Sequence, residues 1–244
     1  MDDAVWSVVH GPSATVESMP GLTDKASGEQ TGLGHEAESA RRRWEESMLR
    51  QLEELRLALR RQAPEALAAR CGAVYQDREI RLAYWDRQAC LAWPALEAHW
   101  MPEGNPASTY DTAVLLYYLH QADGSPMADR WIGYRDLPAG TFYNQAFQGY
   151  SGDRLASAFG QSPQGFEAAA RALAGLRLPA LAEHAYAFQP LPRIRLVAVL
   201  WPGDEEFPAR ASVLFDAAAA HYMTTDGLAL LGSGLVGRLI KHKP

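Results

Sequence analysis

The chain has 244 residues, 48% of them hydrophobic and 21% charged, with a formal net charge of −6. A chain of that size can bury a core without disulfide staples. Its acidic balance disfavours nucleic-acid binding, which needs clustered Lys and Arg.

Cys71 and Cys90 are the two cysteines, and neither belongs to a CxxC or a Cys/His run. No iron–sulfur or structural zinc site is expected, and no metal ligand is assigned. One disulfide is conceivable, but two thiols beside an ample core suit a reducing compartment. The opening MDDAVW lacks the basic-then-apolar order of a secretory signal. No run reaches the ~18 apolar residues of a spanning helix. A soluble, cytoplasmic protein with no membrane partner is the expectation.

Residues 1–35 are rich in Gly, Ser, Thr and Pro. They bury too little surface to offset their ordering entropy and read as a disordered tail. Residues 36–244 read as one domain. Glu36 to Gln62 is the clearest helix, with Trp44, Met48, Leu52, Leu55 and Leu59 on one stripe. Arg41–Arg43 read as part of a solvated, salt-bridged face. Pro64 opens a short helix that Gly72 ends.

From Ala73 the period changes. AVYQ, EIRLAYW and QACLAW are β-rich runs separated by DRE and DRQ. They predict a small antiparallel meander, followed by a loop marked by Pro94, Pro102, Gly104 and Pro106. Ser108 and Asp111 fit a capping box for a helix to Gln121. Trp131–Tyr134 is a candidate strand. Thr141 can cap a helix ending near Phe147, and 151–159 and 163–176 read as two more helices divided by Gly160. Strands follow at about 183–188, 193–201 and 209–215. The closing helix spans Thr225 to Ile240, and its glycines suit close approach of another backbone. Without regular βαβ alternation the fold class is α+β. A mainly antiparallel sheet is expected around a central hairpin, Arg193–His221, with several helices covering it.

No GxSxG, P-loop or HExxH string is present. GSGLVG at 232–237 has the spacing of a glycine fingerprint, but it sits inside the closing helix rather than between a strand and a helix, the context that fingerprint requires. Three groups could carry chemistry. Asp204-Glu205-Glu206 form an acidic turn, stiffened by Trp201, Pro202, Phe207 and Pro208. Such a turn is either solvated or a ligand edge. Asp216 and His221 could be a cap and its neighbour, or metal ligands or an acid–base pair. The segment 110–150 is dense in aromatics, among them Tyr118, Trp131, Tyr143 and Phe147, with Asp123 and Arg135. These are either core or a pocket that stacks a planar ligand while Arg135 holds its acidic group. Gly140, Gly149 and Gly152 would let a loop move or approach a ligand closely.

APEALAARCGAVY, LLYYLHQADGSPMADRWIGYRDLPAGTFYNQAF, LVAVLWPGDEEFPARASVLFDAAAAHY and LGSGLVGRLI occur in this order. Together they resemble the uncharacterised bacterial and archaeal family called domain of unknown function 3786, over roughly Glu36 to Ile240. The resemblance implies no established activity. It implies a setting near anaerobic one-carbon or corrinoid metabolism. The cysteine-rich segment joined to some relatives is missing here. The resemblance marks Tyr118, Asp123, Gly124, Trp131, Arg135, Pro138, Tyr143 and Phe147, and then Asp204, Glu206, Phe207, Pro208, Phe215 and Asp216, without assigning roles.

Three functional expectations follow. The first is a ligand- or cofactor-binding accessory protein, with the aromatic block and the 201–216 hairpin as the walls of a cleft. The second is a partner-docking structural protein, marked by an exposed apolar stripe on the 36–62 helix. The third is a metal-assisted hydrolase using Asp204, Glu206, Asp216 and His221. No particular cofactor is specified, and a small molecule or a protein is the expected partner.

Overall fold

The computed structural model describes residues 48–244. The tail expected over 1–35 and the start of the helix expected from Glu36 lie outside the described residues. The first described helix, α1, covers 48–60. Met48, Leu52, Leu55 and Leu59 are all buried, so the expected stripe faces the core rather than an open surface. Leu49 and Leu57 on the other side are exposed.

Helix α2 (Pro64–Cys71) starts on its proline and ends at Gly72, whose φ of 70° is the left-handed cap that glycine accepts at low cost. The meander follows as β1 (Val74–Gln76), β2 (Glu79–Tyr84) and β3 (Arg87–Ala92), with a fourth strand, β4 (Glu97–Met101). All pair antiparallel in the order β1-β2-β3-β4. The β1–β2 turn is the two residues Asp77 and Arg78, both at positive φ, the backbone that matches strand twist in a tight hairpin. β4 corrects the expectation of a loop from Pro94 onward. EAHWM alternates with Ala98 and Trp100 buried, and the prolines at 94 and 102 sit just outside it rather than in it.

Helix α3 (Thr109–Gln121) is capped by Ser108, whose Oγ accepts the Asp111 N–H at 3.1 Å. The reciprocal contact runs from the Ser108 hydroxyl to the Asp111 carboxylate at 2.7 Å. Every residue from Thr112 to Leu119 is buried. The helix therefore lies inside the fold rather than on it.

The second sheet has five antiparallel strands in the order β5-β9-β8-β7-β6. They are β5 (Trp131–Gly133), β6 (Leu176–Arg177), β7 (His184–Leu191), β8 (Ile194–Trp201) and β9 (Arg210–Asp216). The expected hairpin, β8–β9, is central in it. Its apolar run is explained by burial on both faces. Leu196, Ala198 and Leu200 join the main core, while Val197 and Val199 join a smaller cluster with Ala185 on the opposite face. The main core takes residues from both sheets. The sheets meet where the Trp85 N–H donates to the Pro190 carbonyl at 2.9 Å.

Helices α4 (Gly140–Tyr150), α5 (Gly152–Phe159), α6 (Pro163–Ala172) and α7 (Thr225–Lys241) complete the α+β architecture. Two expectations shift here. Thr141 does not cap α4: Ala139 holds that position at φ 57°, and the Thr141 hydroxyl donates to the Arg135 carbonyl. Helix α6 stops at Ala172, four residues early, because the chain turns through Ala174 at φ 55° and starts β6. In α7 it is aromatic rings, not a backbone, that need the glycine. A Cβ on Gly232 would lie 3.0 Å from Phe147 and 3.3 Å from Phe215.

No helix among the described residues is long and apolar enough to cross a membrane.

Candidate functional site

The sequence-predicted residues separate into a core group, a turn group and a clasp. Phe147 belongs to the core. It stacks on Tyr134 with ring centroids 4.2 Å apart and leans on Phe215 at 5.8 Å. Tyr118 is also buried. Its hydroxyl donates to the Cys71 carbonyl at 2.6 Å and accepts the Arg193 N–H at 3.0 Å. It thereby ties the end of α2 to the β7–β8 turn. Burial pushes its hydroxyl far above the ordinary tyrosine range. The aromatic block thus meets the Phe215–Asp216 end of the hairpin, and it does so by packing.

The turn group lies at the other end of β9. The Asp204 carboxylate accepts the Phe207 N–H at 2.7 Å and the Glu206 N–H at 2.9 Å. Those two donors, Phe207 first, hold the carboxyl below its ordinary range. Trp201, Glu206 and Phe207 are exposed. A strand of seven residues separates this turn from Asp216, or ~20 Å at the usual rise. The four residues expected of a hydrolase are therefore not brought together.

The clasp is built on the loop between α3 and β5. The loop is pinned at three places by the last residue of β9 and the chain that follows it. The Asp216 carboxylate accepts the Ala128, Asp129 and Ala218 N–H groups, each at 2.9 Å, and Arg195 Nη2 at 3.0 Å. Arg195 also reaches Asp129 and lies over the Trp131 ring at 5.5 Å. Asp216 is fully buried. Burial alone would raise its carboxyl, but the Ala218 and Ala128 N–H groups, Arg195 and the Asp129 N–H outweigh it and hold it below its ordinary range. The expected cap role of Asp216 is not what the structure shows: the 3-10 turn has Ala218 at its N-cap position with no side-chain cap bond, and the Asp216 bond to the Ala218 N–H closes the tight turn that precedes it. The second pin is the Tyr222 hydroxyl, which donates to the Ser125 carbonyl.

The third pin joins a histidine to a carboxylate and a hydroxyl. His221 sits in a 3-10 turn, Ala219–His221. Its Nδ1 is 2.7 Å from Asp123 Oδ2 and 3.3 Å from Ser125 Oγ. The side chains of His221 and Asp123 are 51% and 49% exposed. Burial tends to raise the Asp123 carboxyl. The Ser125 N–H and the His221 ring reverse that and place it below the ordinary range. His221 therefore pairs with Asp123, not with Asp216. Ser, His and Asp are the parts of a hydrolase triad, yet both Ser125 and Asp123 face the same ring nitrogen. A triad puts nucleophile and orienting carboxylate on opposite nitrogens. The arrangement instead orients an imidazole and presents Nε2, which has no partner among the described residues.

Arg135 and Tyr143 fall outside the clasp. Both are exposed; Tyr143 lies in the first turn of α4 beside Phe142, at 59% and 86% exposure. Of the three glycines, Gly140 and Gly152 serve close approaches: an added Cβ would meet the Tyr134 carbonyl oxygen at 2.0 Å and the Ala211 carbonyl oxygen at 2.5 Å. Gly149 has open space. It borders a shallow depression of about 410 Å³ lined also by Asp153, Arg154, Ser157, Ala158 and Ile240, none of them a candidate residue.

Sequence reasoning missed Ser125 and Asp129 in the clasp, and a second polar group on the other sheet. Glu79, Cys90 and His99 bring a carboxylate oxygen, a thiol and a ring nitrogen within 4.8 Å of one another. Burial, then the neighbouring Glu79 carboxylate, pushes the Cys90 thiol up to about 11. The thiol and Arg81 hold Glu79 below its ordinary range. Cys71 is likewise a free, buried thiol.

Two antiparallel sheets wrapped by helices, with one loop clasped to the end of the central hairpin, define an α+β protein. The chain belongs to the family described as domain of unknown function DUF3786, whose model matches residues 63–238. The match starts at Ala63, after α1. No curated protein and no solved structure matches the chain.

Proposed function

We propose that this protein is a cofactor- or ligand-binding accessory protein and that its ligand meets His221. One observation carries the reading: the Asp123 carboxylate holds Nδ1 of a half-exposed imidazole and leaves Nε2 without a partner among the described residues. A carboxylate on one ring nitrogen fixes the orientation of the other, which suits it to a metal-bearing cofactor or a hydrogen-bonding ligand. Trp131, the first residue of β5 after this loop, lies under Arg195. The corrinoid setting implied by the family resemblance would suit this arrangement, since His221 Nε2 would offer a cobalt ion an imidazole ligand.

The test is a thermal-shift panel that includes aquocobinamide, one-carbon carriers and common nucleotides. At least one compound should raise the Tm of the wild type, with the shift reduced in His221→Ala and partly retained in Asp123→Asn. No shift in the wild type, or an equal shift in His221→Ala, overturns the proposal.

A partner-docking role is the second reading. Its observation is the pair Phe142 and Tyr143, both exposed at the start of α4.

A further inference from the structure

The outward face of the four-stranded sheet carries a residue that does not belong there. Strand pairing fixes which side chains share a face. Cys90 stands opposite Arg81 on β2 and opposite His99 on β4. Glu79 lies two residues from Arg81, so all four project to one side. The other side takes Ile80, Leu82, Leu91, Ala98 and Trp100 into the main core. Cys90 is fully buried yet belongs to neither apolar cluster. It is a thiol beneath a polar layer.

We infer that Glu79, Cys90 and His99 form a binding site for a divalent transition-metal ion of the zinc class. Thiolate, imidazole and carboxylate are the ligand types such an ion takes. The three ligand atoms lie within 4.8 Å of one another, with Glu79 Oε1 3.7 Å from His99 Nε2. A tetrahedral centre wants its ligand atoms ~3.5 Å apart, so closing on an ion needs shifts of about 1 Å.

Arg81 does not occupy the same oxygen. Its Nε and Nη2 bind Glu79 Oε2 at 3.0 and 2.7 Å, which leaves Oε1 turned to His99. That is the outer-shell arrangement that orients a ligating carboxylate. Thiolate and carboxylate together cancel the charge of the ion, so Arg81 is not displaced. An ion-pair network would need only Glu79, Arg81 and His99; Cys90 is what completes a ligand set.

The platform is firm. β3 is paired on both sides. β4 is held by 105–107 through the His99–Pro106 bridge and the Trp100 and Ala107 N–H groups. On binding, the Cys90 S–H bond breaks, an Sγ–metal bond forms and the proton leaves to solvent. Three protein ligands leave one tetrahedral position open to water or an exogenous donor.

The test uses the full chain, with Zn2+ in competition against a chromophoric chelator and Co2+ followed by absorption. The wild type should bind Zn2+, and Co2+ should give a thiolate charge-transfer band. Cys90→Ser should abolish that band. Cys90→Ser and His99→Asn should each weaken Zn2+ binding at this site by about a hundredfold or more, since loss of an outer-shell partner alone costs up to that much. His99→Asn and Glu79→Gln alter partly exposed side chains and decide the matter should Cys90→Ser fail to fold, which far-UV circular dichroism reports. Absence of Zn2+ binding by the wild type, or undiminished binding in folded His99→Asn and Glu79→Gln, overturns the inference.

Discussion

Asp216 shows what a single residue contributes. Four hydrogen-bond donors converge on a carboxylate that has no access to solvent. Its removal leaves three N–H groups and a guanidinium short of an acceptor charge. Asp216→Asn should destabilise the fold by about 3 kcal/mol, the usual penalty for breaking a buried pair, measured by urea unfolding at pH 7. The pH dependence has a defined sign. A carboxyl held below its ordinary range contributes stability above the unfolded value of ~3.9 and loses it as pH falls through the folded value. Unfolding free energy of the wild type should therefore drop as pH is lowered below about 4, and the drop should be shallower in Asp216→Asn. An equal slope in both would remove Asp216 from this role. The sequence suggested Asp216 as a cap at a strand end; the structure instead gives the cap position to Ala218 and leaves Asp216 a local bond to the Ala218 N–H. Arg195 and the loop donors were not legible, because they come from 21 and about 87 residues away.

At the scale of elements, close approach organises the helices on the second sheet. Gly152 opens α5 where an added Cβ would lie 2.5 Å from the Ala211 carbonyl of β9. Backbone cannot give way cheaply, so Gly152→Ala should cost about 1–3 kcal/mol as overpacking, read as a fall in Tm. Gly149→Ala, three residues earlier with open space around it, should be neutral or slightly stabilising. An equal loss from both would contradict the close-packing account. Elements with a clear cap, stripe or continuous apolar run were readable: α3, α7, β8 and β9 fall within a residue or two of expectation. β4 was not, because prolines at both borders made a real strand look like loop. β6 was not, because its two residues make sense only as partners of Ala187 and Tyr186.

For the molecule as a whole, the organising feature is the same central hairpin that the sequence suggested, with its two ends serving different ends. One end, at Asp204, is a self-contained exposed turn. The other gathers the aromatic core on one face and the clasp on the opposite one. The candidate residues Asp123 and His221 were visible in the sequence as separate polar positions. Their pairing was not, because it joins residues 98 apart. The convergence of Glu79, Cys90 and His99 was in principle readable once strand register is known, since they occupy one side of a regular meander. The fourth strand had to be recognised first.

We propose that the clasp serves to present His221 to a ligand. The most direct measurement is a long-range 1H–15N spectrum of the histidine imidazoles, recorded while titrating aquocobinamide or whichever compound stabilises the protein. The Nε2 signal of His221 should move while those of His99 and His184 stay, and Asp123→Asn should weaken the effect. Saturating binding with the His221 ring signals unchanged would contradict it.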